Sequence, residues 1–185
     1  GCQTLYTNTS GHYNTAIGYY ALSANVASNN VAVGNHALDA NTTGSENVSM
    51  GAHSMDDNTS GSGNTAIGHE SLANNTTASE NATVGKLSMY TNTSGSANTA
   101  SGYCALRLNL DGNSNAAFGH NAMYNNASGL YNTGLGKSAL ADNTTGDNNV
   151  AVGYTALNQD DVGMGSTIVG SQAAYYQNTA SETYT

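Results

Sequence analysis

His36, His53 and Glu70 set two imidazoles and one carboxylate at a constant interval of 17. If each such interval returns the chain to the same place, the side chains lie about 5 Å apart along a stack of strands. Two nitrogen donors and one oxygen donor at that separation suit a transition metal. The same position recurs as Tyr20 before them and as Leu87 and Cys104 after them. That mixture reads as a variable, solvent-facing column, so no metal and no cofactor are assigned, and the His36, His53, Glu70 set stands as the alternative. Asp39 and Asp56 share a second column, where they would repel unless a cation lay between them. No G-x-S-x-G, H-E-x-x-H or phosphate-loop motif occurs, and the calcium-binding nonapeptide of β-helix repeats is absent. The expectation is a protein that is not an enzyme.

The spacing of these residues belongs to the whole chain. One glycine column runs through Gly18, Gly34, Gly51, Gly68 and on to Gly170, with a first interval of 16 and every later one of 17. Four positions after each glycine stands Leu22, Leu38, Met55, Leu72 and their successors, ending in Ala174. Three positions later comes an asparagine column from Asn25 to Asn143, closed by Asp160, and four positions before each glycine a second one, Asn14, Asn30, Asn47, Asn64 and onward. Self-similarity at a fixed period is the signature of a repeat architecture.

So short a period cannot hold a helix pair, and Gly, Asn and Thr are poor helix formers. Each repeat divides instead into two short strand candidates, such as "NTAIG" and "YYAL", separated by Asn/Gly turns. The expected fold is all-β: a parallel β-solenoid, or β-roll, of about ten coils, one domain over residues 1–185, stacked into a rod on the order of 48 Å long. The Ile17, Val33, Met50, Ile67 column is expected to join the Leu/Met column in the core. Stacked asparagines are expected to bond one another and the turn backbone. The glycine column should mark positive φ or close backbone approach. The residue missing from "NVASNNVAVG" should fall in a turn. The opening "GCQTL" matches the second half of a repeat, so the chain reads as a piece of a longer protein.

Composition narrows the partners. The formal net charge is −9 with only three Lys and Arg among 185 residues. Such a chain lacks the basic stripe that nucleic acid requires and the polybasic segment that draws a protein to anionic membranes. No apolar run is long enough to span a bilayer, so membrane insertion is not expected. Cys2 and Cys104 sit about six coils apart, roughly 29 Å of rod, beyond the ~7 Å that a disulfide bridges. Twelve tyrosines read as scattered amphipathic surface.

The phrases "NTAIGYYAL", "NVAVGNHAL" and "NVAVGYTAL" resemble the "NSVAIG" repeats of trimeric autotransporter adhesin heads. They are more similar still to the "NTAIGY-AL…NTTG" arrays of phage tail fibres and related bacterial surface proteins. The resemblance spans essentially the whole chain. It implies a left-handed β-roll, three identical chains about one axis, and an extracellular, virion or cell-surface role in extension and attachment. The partners it implies are the chain itself and a surface glycan or protein receptor. Adhesin heads use shorter coils than those found here. Two alternatives come from the residues: an ice-binding solenoid carried by the column Thr9, Thr42, Thr59, Thr76, Thr93, Thr144, and a filament subunit stacking end to end.

Overall fold

The computed structural model describes residues 1–159 and 163–176. Asp160, which the sequence places in an asparagine column, and the closing "NTASETYT" lie outside them. The described residues form an all-β parallel solenoid of about nine turns. Its strands are β1 (Thr15–Ile17), β2 (Val31–Val33), β3 (Val48–Met50), β4 (Thr65–Ile67), β5 (Ala82–Val84), β6 (Thr99–Ser101), β7 (Ala116–Phe118), β8 (Thr133–Leu135), β9 (Val150–Val152) and β10 (Thr167–Val169). They pair in chain order into one ten-stranded parallel sheet. The register is the sequence period itself: Ala66 pairs with Thr83 and Ile67 with Val84. No helix among the described residues is long and apolar enough to cross a membrane.

The second strand candidate does not form a strand. Each "YYAL"-type segment is instead a corner in which alternate residues have positive φ: Gly18 at 139°, Tyr20 at 58° and Leu22 at 53°. Within the corner the amides change the coil they bond: Gly34 N–H, like His36, donates back to the preceding coil, and Ala40 N–H, like Leu38, donates forward to the following one. His36 N–H donates back to the Tyr19 carbonyl at 2.9 Å, while Leu38 N–H donates forward to the Ser54 carbonyl at 3.0 Å. The corner is therefore a ladder of its own that joins each coil to both neighbours, with its amides switching once from the preceding coil to the following one. Left-handed φ costs an L-residue roughly 1–2 kcal/mol. It is held here by a hydrogen bond on each side and by burial of the Leu or Met that adopts it.

The core is narrower than the sequence suggests. Leu22, Leu38, Met55, Leu72, Met89, Leu106, Met123, Leu140 and Leu157 are all fully buried. They pack on the central residue of each strand and on the position before the Leu/Met, both mostly Ala. The Ile17 column, expected in the core, faces outward. Its exposure runs from 38% at Ile67 to 70% at Val169, with Val33 and Val152 half-buried. The reason is the two-residue alternation of a strand. In a three-residue strand only the middle side chain points inward, and here that residue is Ala16, Ala32 or Ala66 rather than Ile17.

Where the interior varies, the variation is matched locally. Ser71 and Thr83 replace two alanines together, and their hydroxyls bond at 2.6 Å. Gly134 replaces another, and a Cβ there would lie 2.8 Å from Cγ of Met123, which fills the space.

The two asparagine columns are both buried and hold the turns. In one, Asn58 Nδ2 donates to Asn41 Oδ1 at 2.8 Å and to the Gly61 carbonyl at 3.1 Å. In the other, Asn64 N–H donates to Asn47 Oδ1 at 2.9 Å, and Asn64 Nδ2 donates to the Ala78 carbonyl at 2.8 Å. The short first repeat loses its residue inside this turn: Asn25 Nδ2 reaches the carbonyl of Ala27, two residues on, where Asn41 reaches Gly44, three residues on. In the glycine column Gly68 has φ 137°, and a Cβ on it would sit 2.5 Å from the Gly85 carbonyl oxygen. The coils could not stack at their observed distance with any side chain there.

Candidate functional site

Because φ is positive at the second and fourth positions after each column glycine, the second and fifth positions turn toward each other on the solvent side of the corner. The second-position column carries Tyr20, His36, His53 and Glu70; the fifth carries Ser23, Asp39, Asp56 and Ala73. His36 Nδ1 lies 2.8 Å from Asp39 Oδ2, and His53 Nδ1 lies 2.8 Å from Asp56 Oδ2. The His36 and His53 rings stack at 5.2 Å and 6° between planes, with Tyr20 on the far side of His36 at 5.0 Å and 5°. Ser23 donates to the other carboxylate oxygen of Asp39. The two His–Asp pairs are half-buried, from 22% exposed at Asp39 to 42% at His53.

The structure thus brings His36 and His53 together but not with Glu70, whose carboxylate lies 3.7 Å from Nδ1 of His69 in its own coil. Asp39 and Asp56 take its place: one ligand atom from each of His36, Asp39 and Asp56 falls within 4.8 Å of the others. The pairing of Asp39 and Asp56 with histidines replaces the bare carboxylate repulsion expected from their column. Desolvation, and then the neighbouring Asp56 charge, raise the Asp57 carboxyl above its ordinary range.

Further along the fifth-position column, Arg107 lies between Tyr90 and Tyr124, its guanidinium carbon 5.7 Å from each ring centroid. Arg107 Nη1 donates to the Tyr124 hydroxyl at 2.5 Å, and that bond raises the guanidinium pKa further. The aromatic residues are therefore less scattered than the sequence suggests, since Tyr20, His36 and His53 form one continuous stack with Tyr19 packed edge-on against it.

The outer face of the sheet is a second surface of interest. The first residue of each strand forms a column of Thr, Val and Ala from Thr15 to Thr167. The third forms the exposed apolar column that includes Ile17, Met50, Ile67, Phe118 and Val169. In the turns, the threonines marked for ice binding occupy an ordered array. Thr42 Oγ1 donates to the Thr59 carbonyl and Thr59 Oγ1 to the Thr76 carbonyl, each at 2.9 Å. Both cysteines are free thiols, Cys2 exposed and Cys104 buried.

Sequence reasoning missed Asp39 and Asp56 as partners of the histidines. The spacing His-x-x-Asp, repeated once at the period, is the signal that could have found them. No protein-family model, curated protein or solved structure matches the chain.

Proposed function

We propose that this chain is a structural, non-catalytic shaft or head segment of an extracellular fibre, built from identical copies and serving extension and attachment. The observation that carries it is the apolar column on the outer face of the sheet, from Ile17 to Val169, broken only by Ser101 among the described residues. Exposed apolar surface arranged contiguously marks an interaction site rather than ordinary surface. A column running the length of the solenoid is suited to a partner equally long and equally periodic, and a second copy of the chain is such a partner. The repeats' resemblance to trimeric adhesin heads and tail fibres favours three left-handed copies about one axis, with the solenoid as a rigid spacer for a tip that binds a surface glycan or protein.

The test is the solution mass of the 18.8 kDa chain by light scattering, alone and as the Ile67→Asp, Phe118→Asp double variant. A mass three times the chain's that falls to that of a monomer in the variant supports the assembly. A monomeric parent chain overturns it.

A second function has its own observation. The Thr42, Thr59, Thr76, Thr93 array is exposed apart from the half-buried Thr76, regular, and fixed by hydrogen bonds to the next coil, as suits an ice-binding surface. Thermal hysteresis in a monomeric chain, lost on replacing Thr59 and Thr76 by Val, would favour it.

A further inference from the structure

We propose that His36, Asp39 and Asp56, with His53 beside them, form a binding site for one divalent transition-metal ion of the zinc class. Three observations converge. One nitrogen and two carboxylate oxygens from these residues already lie within 4.8 Å of one another. Their orientation is fixed by contacts outside the set: Tyr20 stacks on the His36 ring, and Ser23 holds one oxygen of Asp39 and leaves Oδ2 for His36. The supporting backbone is a ladder rather than a free loop, with His36 N–H on the Tyr19 carbonyl and His53 N–H on the Asn35 carbonyl, each at 2.9 Å. Groups that orient a ligand from behind are a regular feature of metal sites.

The donor set selects the ion. An imidazole nitrogen beside carboxylate oxygens suits zinc, cobalt, nickel or copper better than calcium or magnesium, which favour oxygen alone. In the metal-bound form the neutral imidazole carries its proton on Nε2 and presents Nδ1 to the ion between Asp39 and Asp56. His53, 2.8 Å from Asp56, then either orients Asp56 or supplies a fourth donor. The ion would tie two successive coils together by coordination, where the asparagine and hydroxyl side chains tie them by hydrogen bonds.

The experiment uses the full chain freed of metal with a chelator and titrated with zinc by calorimetry and with cobalt by visible absorption. The variants are His36→Gln and Asp39→Asn, because Gln172 and Asn158 occupy the equivalent positions of later coils and both substitutions should fold. His120→Gln, on a histidine stacked with Tyr103, is the control. The expected result is one ion per chain, cobalt bands of a nitrogen–oxygen site, and a rise in melting temperature with zinc. Affinity should fall at least about tenfold in either variant and stay unchanged in the control. No binding at millimolar zinc, or equal binding by the parent chain and both variants, would overturn the site. Neither result depends on whether the chain is a monomer or an assembly, so failure here is separable from failure of the fibre function.

Discussion

Asn58 Nδ2 lies 2.8 Å from Oδ1 of Asn41, a residue one period earlier in the chain and directly below it in the stack. The same link joins Asn75 to Asn58 at 2.7 Å and Asn92 to Asn75 at 3.1 Å, all with buried side chains. Each amide also closes its own turn by donating to the carbonyl three residues on. One side chain therefore sets both the shape of a coil and its distance from the next.

Replacing Asn58 by Asp should remove both donated bonds and set a carboxylate against two acceptor oxygens. Each lost bond costs about 0.5–1.5 kcal/mol and each buried group left unsatisfied about 1–3 kcal/mol, so the loss should exceed about 2 kcal/mol. Chemical denaturation measures it. Amide hydrogen exchange should quicken first in the turns at Gly44 and Gly61.

Leu72 and Ile67 separate the inside of the coil from its outside. Leu72→Ala should cost about 2–5 kcal/mol, as a buried leucine does, and Leu72→Asp more. Ile67→Ser, on the outward face, should change the stability of a single chain by about 0.5 kcal/mol or less. Equal destabilisation by Leu72→Ala and Ile67→Ser, measured on dissociated chains, would refute the assigned inner face.

Gly68→Ala adds a Cβ to a residue at φ 137°, 2.5 Å from the carbonyl oxygen of Gly85. The coils must part locally, and the cost should exceed the ~1 kcal/mol range of ordinary glycine substitutions. A lowered melting temperature with faster exchange at Gly85 N–H, which donates across the opened gap to the Ile67 carbonyl at 2.8 Å, is the expected result.

Glu80 holds a left-handed conformation, φ 62°, in a column where Gly63 and Gly165 appear naturally at 67° and 70°. Glu80→Gly should therefore leave stability unchanged or raise it by up to about 1 kcal/mol. Glu80→Pro should be strongly destabilising. The proline ring fixes φ at about −65°. It also removes the amide that donates to the Ser62 carbonyl at 3.0 Å. Thermal melts of the two variants make the comparison.

Of the two thiols, Cys2 is exposed and Cys104 buried. A thiol reagent should modify one cysteine per folded chain and the second only after denaturation. Rapid modification of both in the folded protein would contradict the packing around Cys104.

The period by itself determined the stacking. Once Gly, Asn and Leu/Met recur at one fixed interval, like positions must lie one strand spacing apart. The asparagine ladders, the glycine contact and the His36–His53 neighbourhood follow from that translation alone. The direction in which each column faces does not. Ile17 and Leu22 are equally apolar columns, and a strand of three residues is too short for alternation to reveal its inner side. That choice was made in three dimensions, by an interior only wide enough for one large side chain opposite an alanine. The His36–Asp39 contact was hidden for a related reason. It depends on a corner in which Leu38 takes a left-handed φ of 55°, a conformation that leucine rarely adopts unless hydrogen bonds to both neighbouring coils hold it there.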